Sequence, residues 1–355
     1  MHLNGLIALL ALGTAASAAS TATNSTTGSK GPASKSNGSL YGFISMLNNK
    51  YQTAQFNRLL KSDAGYQPII DMLNNTGAMT VFIPNDKALQ FFLDRQVPDL
   101  QKGQYPPSTA MINNVSMLDI VKQHITTGRY ATSSNNYPAM VKSSILTNST
   151  IDHLGSGSPL LIDTNSTYSN FSDKSWRVAN SKNIQWNVGN GWLSADVLQR
   201  DIPTNNGYLN VIDDVLQPPT SLRNTIDHNS EISQINNYIN THEQVGSYID
   251  GLNNATLFLP NNDALNGTDL STMSDDDGKA FLEKYVVNGV YYTSNWTSMV
   301  GKSGSNGIAN LDTASGTPLP VSYNDGTFSV NNTANVTTPN ILYNGGVVHI
   351  MNQVL

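Results

Sequence analysis

The chain has 355 residues, only 12% of them charged, a formal net charge of -6 and no cysteine. That length leaves room for two domains, each able to bury its own core. The missing cysteines exclude disulfides, thiolate metal sites and thiol nucleophiles. Mild negative charge without a basic run excludes nucleic acid, whose phosphates need neutralising.

Residues 1–18 read as a signal peptide. Leu6-Ile7-Ala8-Leu9-Leu10-Ala11-Leu12 is apolar but too short to span a bilayer, and Ala16-Ser17-Ala18 supplies small residues for cleavage. One departure is that His2 and the α-amino group stand where Lys or Arg is usual. Residues 19–38 are rich in Ser, Thr, Gly and Asn, and are expected to form a disordered leader. Acceptors for N-glycosylation lie at Asn24, Asn37, Asn74, Asn114, Asn148, Asn165, Asn170, Asn254, Asn266, Asn295, Asn331 and Asn335. Any that are occupied must be exposed, since a glycan cannot be buried. No later segment is apolar enough to span a membrane, and no lipid-anchor tail follows the last repeat. The expectation is a secreted, extracellular protein, with the cell wall or a vacuole lumen as alternatives.

Helical spacing begins at Leu40, Phe43, Ile44 and Leu47, and continues through Phe56, Leu59 and Leu60, then Ile69, Ile70 and Leu73. Thr80-Val81-Phe82-Ile83-Pro84 reads as a buried strand ended by proline. Asn85 and Asp86 then offer side-chain oxygens to the amides of a helix carrying Leu89, Phe92 and Leu93. Another helix is predicted from Ser116, with Leu118, Val121 and Ile125 on one face, stopping near Gly128. Short strands follow at 140–146, 159–163, 177–179, 184–188, 193–198 and 208–216. Pro218-Pro219 favours an extended linker.

The second half repeats the plan. Residues 80–89 return as 256–265, and residues 207–216 return as 346–355. Two phrases in the same order, twice, mean a duplicated domain. Helical faces at Ile232, Ile235, Ile239, Val245 and Ile249 precede Leu257-Phe258-Leu259. Ser274 and Asp277 form a capping box for a helix holding Phe281, Leu282 and Val286. Copy one is the longer between its two phrases. Its extra residues fall at 94–113 and among the strands that bring Tyr168, Phe171, Trp176, Trp186 and Trp192.

The strand of the form Thr-Val-Phe-x-Pro, with Asn/Asp and an Ala-hydrophobic helix after it, resembles the first hallmark motif of the fasciclin domain. Segments 207–216 and 346–355 resemble its second, usually Asn-Gly-hydrophobic-hydrophobic-His-Val-Ile-Asp-x-Val-Leu. Between them, Gln123-His124-Ile125-Thr126-Thr127-Gly128 and Lys284-Tyr285-Val286-Val287-Asn288-Gly289 resemble the family's Tyr-His pair ahead of Val-Val-x-Gly. The resemblance covers 39–355. It implies an α+β fold of two fasciclin-like domains, 39–218 and 219–355, each a two-sheet β-wedge with clustered helices. The copies depart from the pattern differently. Asn210 replaces the usual His in copy one, whereas copy two keeps His349 but has Asn352 for Asp and Tyr285 at the place of His124. No polar set survives in both, so a shared catalytic group is not expected.

Other chemistry is thinly signalled. Gly301-Lys302-Ser303 lacks the leading glycine of a phosphate loop, since Trp296 stands there. Asp275-Asp276-Asp277-Gly278 lacks the alternate spacing and closing Glu of a calcium loop, and reads as a helix first turn. His228 and His242 are too far apart for one helical face, and no Gly-x-Ser-x-Gly elbow occurs. His349 lies among Val and Ile and reads as a core or edge histidine, while His124 either meets helix-terminal carbonyls or is, with the tryptophans below, a candidate binding residue. Trp176, Trp186 and Trp192 are either sheet core or the lining of an aromatic groove.

The leader and the glycan acceptors point to a secreted, glycosylated protein, the departures between copies to one without a catalytic centre or cofactor, and two roles are left. Some fungal relatives act beside laccase-type oxidases in coupling aromatic polyketides into pigments or toxins. This chain's free form and extra aromatics fit such an auxiliary role, with a secreted oxidase or an aromatic small molecule as partner. The alternative is cell adhesion, in the cell wall or extracellular matrix, with surface or matrix components as partners.

Overall fold

Short helices precede each sheet, as the periodicity predicts. The computed structural model describes residues 38–46, 52–75, 77–131, 139–164, 186–302, 307–324 and 326–355. Lobe one opens with α1 (Leu40–Met46), α2 (Ala54–Lys61) and α3 (Gln67–Asn75), followed by β1 (Met79–Pro84) and α4 (Asp86–Gln96). A small hairpin, β2 (Met111–Ile112) and β3 (Val115–Ser116), leads into α5 (Met117–Gln123) and β4 (Ile125–Thr127). The sheet is completed by β5 (Met140–Ser143), β6 (Pro159–Thr164), β7 (Trp186–Gly189), β8 (Ser194–Pro203) and β9 (Gly207–Ile212). Lobe two begins with α6 (Leu222–Asp227), α7 (Ser233–Thr241) and α8 (Glu243–Asp250). Then come β10 (Ala255–Pro260), α9 (Asp275–Glu283), β11 (Val286–Asn288) and α10 (Thr293–Lys302). It ends with β12 (Ile308–Asp312), β13 (Pro318–Asn324), β14 (Thr327–Val330), β15 (Ala334–Tyr343) and β16 (Gly346–Met351).

The two sheets have the same plan, with strand orders β4-β1-β9-β8-β7-β6-β5 and β11-β10-β16-β15-β14-β13-β12. Each hallmark strand pairs in parallel with the other: β1 with β9, setting Phe82 opposite Asn210, and β10 with β16, setting Phe258 opposite His349. Every residue of β1 and of β10 is buried, which explains their unbroken apolar reading. Each fully buried Leu, Ile or Phe there contributes about 2 kcal/mol. Bridges from Thr126 to Ser144 and from Val287 to Thr313 bring the two ends of each sheet together, so each ribbon nearly closes. Register shifts in β8 and β15 mark bulges, which bend a strand and let one ribbon form both faces of the wedge.

Several boundaries differ from the sequence reading. The helix expected to run toward Gly128 ends at Gln123, and Ile125 belongs to β4. Its β-branched run Ile125-Thr126-Thr127 pairs antiparallel with β1, so pairing overrides the helical period. Val286 leaves its helix for β11 in the same way. Asn85 caps α4 through a 2.8 Å bond from the Ala88 amide. Asp86 does not help it. Its carboxylate accepts from the Gln55 amide at 2.7 Å and caps α2 instead. In lobe two Asn262 does the same for α7, accepting from the Gln234 amide at 3.0 Å. There the expected helix after the strand is replaced by turns over residues 262–267, closing at Gly267 with φ 94°. The capping serine behaves as expected, with Ser274 accepting from the Asp277 amide at 3.2 Å at the start of α9. The strand expected at 177–179 and the first residues of that at 184–188 lie outside the described residues.

Candidate functional site

His124 follows α5 and is 1% exposed. Its Nδ1 donates to the Ile120 carbonyl at 2.7 Å, and its Nε2 accepts the Leu216 amide at 2.9 Å. Those partners fix the tautomer and tie α5 to the end of the second hallmark segment. Burial pushes its pKa down to about 4, against the Ile120 bond, which raises it. The predicted contact with helix-terminal carbonyls is therefore made, but by a neutral ring. Tyr285 fills the equivalent seat in lobe two, its hydroxyl accepting the Leu355 amide at 3.0 Å. Two different side chains thus make one hydrogen bond.

A second seat lies in the parallel strand pair. His349 is fully buried, donates through Nε2 to the Tyr291 carbonyl at 3.0 Å, and accepts the Asn340 amide at Nδ1 at 3.2 Å. It stacks on Phe258 with ring centroids 5.3 Å apart, and burial holds its pKa down at about 4. Asn210, its counterpart, accepts the Asp201 amide at 2.9 Å, but its buried Nδ2 has no partner because the side chain is shorter. Asp201 and Asn340 occupy matching bulge positions with φ of 56° and 58°. Sequence reasoning missed two further anchors. Thr80 and Thr256 donate to the Gly128 and Gly289 carbonyls at 3.0 and 2.7 Å, and accept the Tyr130 and Tyr291 amides. The signal was available, since this threonine opens the repeated phrase in both copies.

The tryptophans do not share a groove among the described residues. Trp186 is 7% exposed and belongs to the core between β6, β7, β8 and β9. Trp192 turns away from that core, packs against the hydrophobic core of lobe two and stacks on His228 at 5.1 Å. Trp176 lies outside the described residues. The remaining one, Trp296, is fully buried against Phe258, Phe328 and His349. His242 lies over Tyr238 with centroids 4.1 Å apart, well separated in role from His228. No group of three or more His, Cys, Asp or Glu among the described residues is arranged to hold a metal. Asp275 accepts from the Gln244 amide at 3.2 Å, consistent with a helix-end role for that acidic run. Of the eight glycan acceptors that are described, Asn74, Asn114, Asn254, Asn266, Asn295, Asn331 and Asn335 are exposed. Asn148 is half-buried and donates to Asp119 at 2.9 Å. Asn24, Asn37, Asn165 and Asn170 fall outside the described residues.

An open surface forms where copy one carries its earlier insertion. The chain after α4 walls a groove of about 420 Å³, floored by Leu93, Val97 and Leu100 and edged by Gln90, Asp94 and Gln104. On the same helix, outside that lining, Phe91 is 58% exposed, with the Arg95 guanidinium 5.3 Å from its ring centroid. The insertion is pinned at its far end. Ser108 donates its amide and hydroxyl to Asp63 at 2.6 and 2.5 Å, and Tyr66 donates to the Pro106 carbonyl at 3.2 Å. Those hydrogen bonds from Ser108 hold the Asp63 carboxyl below its usual range.

Two lobes of matching topology with paired hallmark strands define the class of protein. The Fasciclin domain family model matches residues 52–218 and 230–355, and the chain belongs to that family. A solved FAS1 domain pair from the insect cell adhesion molecule fasciclin I is similar at 17% identity, with a TM-score of 0.39, over 86% of this chain and 97% of that chain. No curated protein matches the sequence. No helix among the described residues is long and apolar enough to cross a membrane.

Proposed function

We propose that this is a secreted, glycosylated, non-catalytic docking protein of the adhesion type, which meets its partner through the face formed by α4 and the insertion after it. One observation carries the reading: an exposed aromatic, Phe91, with the Arg95 guanidinium over its ring, on the helix that also lines a preformed groove and for which lobe two has only turns. Exposed aromatics at the centre of a shaped patch are the usual anchors of protein recognition. The motif histidines support a role without catalysis, because both ring nitrogens of His124 and of His349 are already engaged. An auxiliary role in coupling aromatic polyketides beside a laccase-type oxidase draws on the extra aromatics of copy one. Trp186 and Trp192 are committed to packing, so the adhesion-type reading is the better supported.

The test is attachment of host cells to surfaces coated with the protein. Phe91→Ser should reduce attachment several-fold while leaving the thermal midpoint unchanged, since the ring is exposed and its loss costs within about 0.5 kcal/mol. Equal attachment by the variant would remove the proposed face. Deletion that changes coupled aromatic products but leaves attachment intact would transfer the function to the auxiliary role.

A further inference from the structure

The hairpin tip between β7 and β8 belongs to lobe one but is built against lobe two. Asn190 organises it, its side-chain oxygen accepting the amides of Trp192 and Leu193 at 3.3 and 2.9 Å. The Asn190 carbonyl then accepts the Leu342 amide of β15 at 2.7 Å. One more backbone bond crosses between the lobes, the His153 amide donating to the Asn344 carbonyl at 3.0 Å, while the Asn344 amide donates to Thr220 at 2.8 Å at the start of lobe two. Trp192 lays its ring on His228 and on the edge of the second core. Beneath these contacts Leu161 and Ala139 of lobe one share an apolar cluster with Leu342 and Val347 of lobe two.

The approach is close enough to dictate a residue. Gly191 has φ 96°, and a Cβ there would stand 2.4 Å from the Asn340 carbonyl oxygen. Asn340 is itself held from behind. Its amide donates to His349, its side-chain oxygen accepts the Thr293 amide at 3.0 Å, and its side-chain nitrogen donates to the Thr293 hydroxyl at 2.7 Å. The bulge that meets the hairpin therefore rests on the His349 ring. Lobe one's own bulge, at Asp201, is partly exposed, and its amide donates to the shorter Asn210.

We propose that the Trp192 hairpin is a strap that locks the two lobes into one cooperative body, and that His349 is a positioning residue for the seat it occupies. The lobes then present their faces at a fixed spacing and angle rather than as beads on a linker. The difference between the two copies at Asn210 and His349 follows, since only the lobe-two bulge carries the strap.

Hydrogen exchange on the full chain tests this without any substitution. The Leu342 and His153 amides should be as protected as those of β10. Exchange more than about 100-fold faster, through local opening, would overturn the lock. In calorimetry the wild-type chain should unfold in one transition. Trp192→Ala and Gly191→Ala should each split it, with lobe two melting roughly 5 °C lower, while Leu193→Ala on the same tip leaves it single. Two transitions already in the wild type, or one unchanged transition in both variants, would equally defeat the proposal. For the positioning role, His349→Asn should deprotect Leu342 and His153 while β10 stays protected. Loss of protection in β10 to the same extent would make His349 merely structural.

Discussion

His124 and His349 show how a histidine can be placed by a fold without being available to chemistry. Each is sealed, neutral and hydrogen-bonded at both nitrogens, and burial holds each pKa near about 4 against an ordinary 6.5. The unfolded chain therefore binds protons that the folded chain refuses between those values. Their contribution is complete above about pH 6.5 and is lost as pH falls toward 4, at a cost on the order of 3 kcal/mol per ring when the shift is fully felt. A denaturant midpoint that stays flat between roughly pH 7 and 4.5 would contradict this. The seat shared with Tyr285 sharpens the test. Replacing His124 by Tyr keeps an acceptor for the Leu216 amide and removes one titrating ring, so it should shrink the acid slope with little loss at neutral pH. Replacing it by Ala leaves that buried amide unpaired and should cost about 2–4 kcal/mol at neutral pH, a deficit that shrinks on acidification because the titrating ring is gone as well.

At the level of elements, the sequence disclosed which segments are helices and strands wherever the apolar period was long, as in α2, α3 and α7. It failed where a local signal was answered from far away. Asp86 looks like a cap for the helix it begins, yet it serves α2, thirty-one positions upstream. Asn262 repeats that arrangement for α7, so an amide oxygen does the work as well as a carboxylate. Asp86→Asn should accordingly be tolerated, whereas Asp86→Ala should lower stability by about 1 kcal/mol in chemical denaturation. Equal losses for the two substitutions would show that charge, and not the cap, is what matters. The two short strands β4 and β11 were hidden for a related reason. Their three residues continue a helical spacing, and only the waiting edges of β1 and β10 turn them into strands.

On the scale of the whole molecule, the duplication was legible because the hallmark strands are buried on both faces and tolerate little change. The join between lobes was not legible. It depends on a glycine, a tryptophan and an asparagine bulge brought together from positions 191, 192 and 340, and the asparagine is lost among many others in this chain. What holds that assembly is burial and neutral hydrogen bonding, with little help from charge. Ion pairs such as Arg223–Asp250 and Lys279–Glu283 sit at the surface, where a pair is worth at most about 1 kcal/mol and salt screens it. The thermal midpoint at neutral pH should therefore move by less than about 2 °C between roughly 0.05 and 0.5 M sodium chloride, even as the same protein weakens steeply on acidification. A salt-induced drop of many degrees would mean that electrostatics, and not the neutral interior, carries the fold.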